Sequence, residues 1–297
     1  MEGKKKENMR LSTAFIILMF GMGCGKSYKR IEIKPSETDK RIIKGDGPHL
    51  VMYDMNIKQG KLMVYLDGTG GIAAEGPEDY FNTVVGQGYR LISLSYLNEP
   101  SVAEICNGAT LAADSTCAEE FHRKRIFGEG NFNIITDGPQ DGIVTRLVHL
   151  LRYLEVHDSA GNWGYYLKDK DTVLRWKEIA FSGQSQGGGM AEYIGKHKSV
   201  YKIISFSGGW DWAVDGGIAS WYTRGVNATG VDSWYGTYNT KELGWEVLQK
   251  EYRALGIPEG HIYGFNKEVN GDNTAHTDGI LNSAYKEKWV EMLGRGN

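Results

Sequence analysis

From about residue 49 onward the chain alternates between two hydrophobic rhythms. Short apolar runs at His49–Met55, Lys61–Leu66, Arg90–Tyr96, Glu178–Ser182, Tyr201–Phe206, Ser233–Tyr238 and His261–Phe265 read as strands. Between them Glu78–Gly86, Gly142–Val156, Gly187–Lys196, Leu243–Leu255 and Leu281–Leu293 read as helices. In Gly142–Val156 the residues Ile143, Leu147, Leu150, Leu151 and Leu154 fall on one helical face. Gly256 closes Leu243–Leu255 as a C-cap. This alternation predicts an α/β fold with a mostly parallel central sheet flanked by helices on both faces, an αβα sandwich. Lys58-Gln59-Gly60 predicts a hairpin, with the first two strands antiparallel to each other. An insertion at 208–232, rich in Gly and Trp, is expected to cap the carboxyl edge of the sheet, where such folds bind ligands. No internal repeat or second domain is visible, and residues 46–297 read as one domain.

The N-terminal segment follows a different pattern. Lys4, Lys5, Lys6 and Arg10 precede an apolar run from Ala14 to Phe20, and Gly21-Met22-Gly23-Cys24 follows. A basic start, a short apolar core and small residues describe a secretory signal, and the run falls short of the roughly 20 residues that span a bilayer. Residues 1–24 resemble a bacterial lipoprotein signal with its lipobox, in which the Cys24 thiol receives diacylglycerol; Gly21 stands where that motif prefers Leu. The chain is thus expected to be exported to a bacterial cell envelope and anchored at Cys24, with plain secretion as the alternative. Residues 25–45, polar and charged, read as a tether. Gly21 to Ser27 is similar to a phosphate-binding loop, but Phe20 occupies the place of its first glycine and no strand precedes it, so nucleotide binding is rejected.

Composition narrows the function. With a formal net charge of −3 nothing suggests a polyanion partner, so no nucleic acid is expected, and the membrane is met only through the anchor. The 8 Trp and 17 Tyr serve packing or, on the sharper reading, a cleft that stacks sugar or aryl rings. Cys106 and Cys117 lie in a polar loop and are expected to pair in an oxidising compartment, stabilising by about 2–3 kcal/mol. No cysteine has a zinc-ligand spacing, and neither metal nor organic cofactor is expected.

The chemistry sits in residues 179–190, which carry G-x-S-x-G at Gly183, Ser185 and Gly187 between an apolar strand and a helix. A serine there must stand on a sharp strand-to-helix turn in strained backbone geometry, so its neighbours must be small. Its hydroxyl needs a base, and a loop after the last strand supplies His276. The acid that orients the imidazole is left between Glu242, which is favoured, and Asp211. The oxyanion hole is expected from the Gln186 amide and from the Thr69 amide in Leu66-Asp67-Gly68-Thr69-Gly70-Gly71.

Together these segments resemble the α/β-hydrolase superfamily from about His49 to the end. L-D-G-T-G-G is similar to its H-G-x-G loop with Asp67 in place of His, and G-Q-S-Q-G-G-G is similar to the elbow of cutinase-like and polyester-depolymerase-like serine esterases. Tyr235-Gly236-Thr237-Tyr238-Asn239 resembles the acid-bearing segment, but Asn239 stands where many members have Asp. The resemblance implies a serine hydrolase that cleaves carboxylic esters through an acyl-enzyme, with a small-molecule or polymer ester as substrate, such as one on extracellular polysaccharide. A serine peptidase or amidase, and a non-catalytic surface-binding lipoprotein, are the competing readings.

Overall fold

The computed structural model describes residues 28–168 and 172–297. The signal segment and Cys24 therefore lie outside the described residues. The strands β1 (Tyr28–Ile33), β2 (His49–Asp54), β3 (Leu62–Leu66), β4 (Arg90–Ser93), β5 (Ile179–Gln184), β6 (Lys202–Phe206), β7 (Trp234–Asn239) and β8 (Ile262–Phe265) form one sheet. Their spatial order is β1-β2-β4-β3-β5-β6-β7-β8. The β1·β2 and β2·β4 pairs are antiparallel and every other pair is parallel.

The central strands are apolar throughout because both faces are covered. In β3, Leu62, Val64 and Leu66 join one core layer while Met63 and Tyr65 join the other. On the first face lie α2 (Cys117–Phe127), α3 (Ile143–His157), α4 (Gln186–His197) and α5 (Trp245–Ala254). On the second lie α1 (Glu78–Gly86), α6 (Ala275–Leu281) and α7 (Lys286–Leu293). The α3 leucines Leu147, Leu150, Leu151 and Leu154 are all buried, each worth about 1.5–3 kcal/mol in removed apolar surface. The Cys106–Cys117 bond forms, tying the segment before α2 to its first turn.

Three expectations are corrected. The hairpin between β2 and β3 does not form, because β4 lies between them: Ile92 pairs with Val51 on one side and Val64 on the other. The buried Arg90 of β4 takes the connecting loop's carbonyl at Lys58 (3.1 Å), as well as that of Gly161 (2.7 Å). The tether read over residues 25–45 is, from Tyr28, an edge strand and a short helix at Pro35–Thr38. Two of its charges are held in ion pairs: Lys29 meets Asp158 at 2.6 Å and Arg30 meets Glu78 at 2.8 Å. The closing helix read at Leu281–Leu293 is shorter, Lys286–Leu293, because Leu281 ends the separate helix α6 and the chain breaks at Asn282 and turns at Ser283–Tyr285.

Candidate active site

Ser185 follows the last residue of β5 and caps α4, with φ +55° and ψ −124°. That backbone is costly for a side chain-bearing residue and persists only where its surroundings enforce it. Here the Ser185 amide donates to Phe206 of β6 at 2.9 Å, and the Ser185 carbonyl accepts from Gly189 at 3.1 Å. The glycines are required sterically. A Cβ on Gly183 would overlap the Gly187 backbone, and one on Gly187 would overlap the Leu66 carbonyl. The turn thus lifts the hydroxyl above the sheet, while the first turn of α4 begins with the Gln186 amide.

His276 lies in the first turn of α6 and lines the same cleft as Ser185. Its Nδ1 meets Glu242 Oε1 in a short contact. The other Glu242 oxygen accepts from Ser207 Oγ at 2.8 Å, and the carboxylate is buried. Asn239, at the end of β7, sets this up: its side-chain oxygen accepts from the Lys241 amide at 2.9 Å and its carbonyl from the Glu242 amide at 3.0 Å. The carboxylate that reaches the imidazole is therefore three residues beyond the usual place, on the turn that Asn239 braces.

Asp211, the other acid considered, does not contact His276. It is buried and accepts from His122 Nε2 and from Trp221 Nε1, both at 2.7 Å. The cause is the backbone before it: Ser207, Gly209 and Trp210 all have positive φ, and this bend leaves Trp210 in the cleft and Asp211 beneath it. Glu251 of α5 holds the bend, accepting from the Trp210 amide at 3.1 Å and the Asp211 amide at 3.2 Å.

The cleft, about 260 Å³, is lined by Thr69, Ser101–Ala103, Ser185, Gln186, Gly209, Trp210, Trp212 and His276. Gln186 and Thr69 both border it. The Gln186 side chain faces away, accepting from the Val102 amide at 3.0 Å and donating to the Asn98 carbonyl at 2.7 Å, which anchors the wall at residues 101–103. Beneath the Thr69 loop, burial pushes the Asp67 carboxyl up to about 7. Among the described residues no group of three or more His, Cys, Asp or Glu could hold a metal ion.

Four contributors were not read from the sequence: Ser207, Gln184, Glu251 and the Ser101–Ala103 wall. Gln184 Nε2 donates to the His276 carbonyl at 3.2 Å. Only the Gly208-Gly209 pair, which permits the left-handed bend, was a local signal for the Ser207 turn.

Strand order, the elbow at the end of β5 and the cleft over the carboxyl ends of the parallel strands define the α/β-hydrolase fold. No protein-family model matches the chain, and no curated protein matches it. Solved structures do. An S-formylglutathione hydrolase from Agrobacterium tumefaciens aligns over 94% of this chain and 99% of its own, with a TM-score of 0.50 and 11% identity. Esterase 2 of Thermogutta terrifontis aligns over 89% and 95%, with a TM-score of 0.46 and 12% identity. A bacterial heroin esterase aligns over 91% and 83%, with a TM-score of 0.45 and 14% identity. At such identities the likeness is one of fold.

Proposed function

We propose that this chain is a serine hydrolase of carboxylic esters, with Ser185 as nucleophile, His276 as general base and Glu242 as the acid that orients it. The observation that carries the reading is the His276–Glu242 contact at a cleft that also exposes a serine held in strained geometry. Ser185 Oγ attacks the ester carbonyl while its proton passes to His276 Nε2. The oxyanion is met by the Gln186 and Thr69 amides. The imidazolium then protonates the departing alcohol, leaving an acyl group on Ser185. Water, deprotonated by the same imidazole, releases the acid and restores the serine. Glu242 holds Nδ1–H and stabilises the transient charge, and Ser207 keeps Glu242 in place. The chemistry requires no metal or organic cofactor.

The Cys106–Cys117 bond suits an oxidising compartment. With the signal segment it supports export and anchoring at Cys24, so the substrate is an ester met outside the cytoplasm, free or carried by a polymer that the open cleft admits. Ser185→Ala is expected to abolish p-nitrophenyl acetate turnover and fluorophosphonate labelling while leaving the circular dichroism spectrum unchanged. Turnover at the wild-type rate in that variant would remove Ser185 from the mechanism.

A further inference from the structure

The walls of the cleft are chemically unequal. On the His276 side stand two half-buried tryptophans, Trp210 and Trp212, with ring centroids 6.4 Å apart; the Trp210 ring lies 6.1 Å from the imidazole. Trp210 has φ +74°, a conformation that bulky residues rarely adopt. Besides the Glu251 clamp on its amide, its indole N–H donates to the Ser207 carbonyl at 3.1 Å. That bond uses the only polar group the side chain has, so what Trp210 offers the cleft is ring surface. Trp212 is presented by a tight turn, its backbone bridging Ile218 while Ala213 donates to the Gly217 carbonyl at 2.8 Å. The wall at Val102 and Ala103 is tied instead to Gln186, at the oxyanion end.

The proton that expels the alcohol comes from His276, so the alcohol must depart alongside the imidazole. The acyl group stays on Ser185, toward Gln186 and Val102. We infer that Trp210 and Trp212 form the leaving-group subsite and that it takes a neutral aromatic ring, making small-acyl esters of aryl-bearing alcohols the preferred substrates; this rests on Ser185 and His276 acting as proposed. Neutrality follows from the lining, in which His276 is the only ionisable side chain. An aromatic ring rather than a sugar follows from how few side-chain polar groups of the lining stay open: the Ser101 hydroxyl is engaged with Glu104 at 2.8 Å and the Trp210 indole with Ser207, which leaves, besides Ser185 and His276, the Trp212 indole N–H and the Thr69 hydroxyl against two broad ring faces. A small acyl group follows from the volume, about 260 Å³, below the roughly 300–1,000 Å³ of pockets that enclose drug-sized ligands.

The test uses benzyl acetate, hexyl acetate, methyl phenylacetate and a monoacetylated methyl glucoside on the purified protein, with fluorophosphonate labelling of Ser185 in parallel. The expected result is a kcat/KM for benzyl acetate about tenfold above that of each other ester. Trp212→Ala should erase the advantage chiefly through KM, and Trp212→Phe should restore it. Labelled protein with no benzyl preference overturns the subsite and leaves the hydrolase reading standing. A preference for methyl phenylacetate overturns it by placing the ring on the acyl side, and a preference for the glucoside replaces the aryl ring with a sugar. Unlabelled, inactive wild-type protein overturns both readings. If Trp212→Ala fails to fold by circular dichroism, the wild-type panel and Trp212→Phe decide alone.

Discussion

Two histidine–carboxylate pairs adjoin helix α4, and their surroundings differ sharply. His276 and Glu242 stand near its N-terminal end, where the imidazole is about one-third exposed and borders a cleft with Ser185. His122 and Asp211 lie against its side, both side chains wholly buried, with the imidazole stacked on Tyr193 at 5.2 Å. His122 has both ring nitrogens occupied, Nε2 by Asp211 and Nδ1 by Met190 Sδ at 3.2 Å. His276 commits only Nδ1 to its carboxylate, and its Nε2 makes no hydrogen bond among the described residues. A histidine–carboxylate pair is therefore not in itself catalytic. What converts one into an acid–base device is a second nitrogen left for a neighbour and a path for substrate to reach it.

Alanine at each histidine separates the two roles. His276→Ala is expected to lower kcat for p-nitrophenyl acetate about ten-thousand-fold while leaving the melting temperature nearly unchanged, because the ring is partly solvated. His122→Ala should do the reverse. It leaves the buried Asp211 with Trp221 as its remaining side-chain partner and opens a cavity, a loss of about 3 kcal/mol or more in denaturant unfolding. The variant that still folds should still label at Ser185. A His122→Ala protein of wild-type stability, or a His276→Ala protein of wild-type activity, would break the contrast.

The same contrast shows what a sequence can and cannot convey. Ser185 was legible because its demands are local: Gly183 and Gly187 sit where a Cβ would overlap backbone, within two residues of the serine. His276 was legible from chain order, lying after the last strand. The acid was not resolved, because Glu242 and Asp211 each follow a strand end and either could turn inward. The deciding feature, positive φ at Ser207, Gly209 and Trp210, is imposed by Glu251 and Tyr252 from α5, some forty residues away. The fold class was legible in the strand–helix alternation. The pairing of β2 was not, because a short loop between two apolar runs has the same local appearance whether or not β4, some twenty-five residues on, inserts between them. The charges of Lys29 and Arg30 likewise looked like linker until their partners Asp158 and Glu78 came into contact.

The buried side of the comparison carries a pH signature. Near Asp211 lie two more buried carboxyls, Glu192 and Glu251. Burial pushes Glu192 up to about 8, with the Asp211 charge adding to the effect, and pushes Glu251 well above the ordinary range. A carboxyl whose folded value is raised keeps its proton in the native state after the unfolded chain has lost it. Stability from Glu192 is therefore full below pH about 4.5 and declines until pH about 8. One such proton corresponds to about 1.4 kcal/mol per pH unit, and so to about 2 kcal/mol between pH 6 and 8. Melting curves across that range should show the decline, and Glu192→Gln, which is neutral at every pH, should flatten it. An unchanged slope in that variant would mean the proton resides elsewhere in the cluster.

The smallest expected effect concerns how the exposed pair is held beside Ser185, its proposed nucleophile. Gln184 immediately precedes Ser185, and its side chain meets two segments at once. Its amide donates to the His276 carbonyl at 3.2 Å, and its oxygen lies so close to Gly68 that a Cβ there would overlap it. One residue of the elbow thus touches both the imidazole's helix and the oxyanion loop. The buried pair has no counterpart to this brace, because packing on every side already fixes His122. Gln184→Ala should leave the triad residues present but let the His276 turn drift, and displacements of that kind lower the rate more than the affinity. A tenfold fall in kcat with KM held, about 1.4 kcal/mol, is the expected outcome, with Gln184→Glu failing to rescue it because a carboxylate cannot donate to the His276 carbonyl. Equal loss in kcat and gain in KM would instead indicate that Gln184 contacts substrate, and the brace would have to be sought in Asp278, which fixes the same turn by accepting from the Asn270 amide at 2.9 Å.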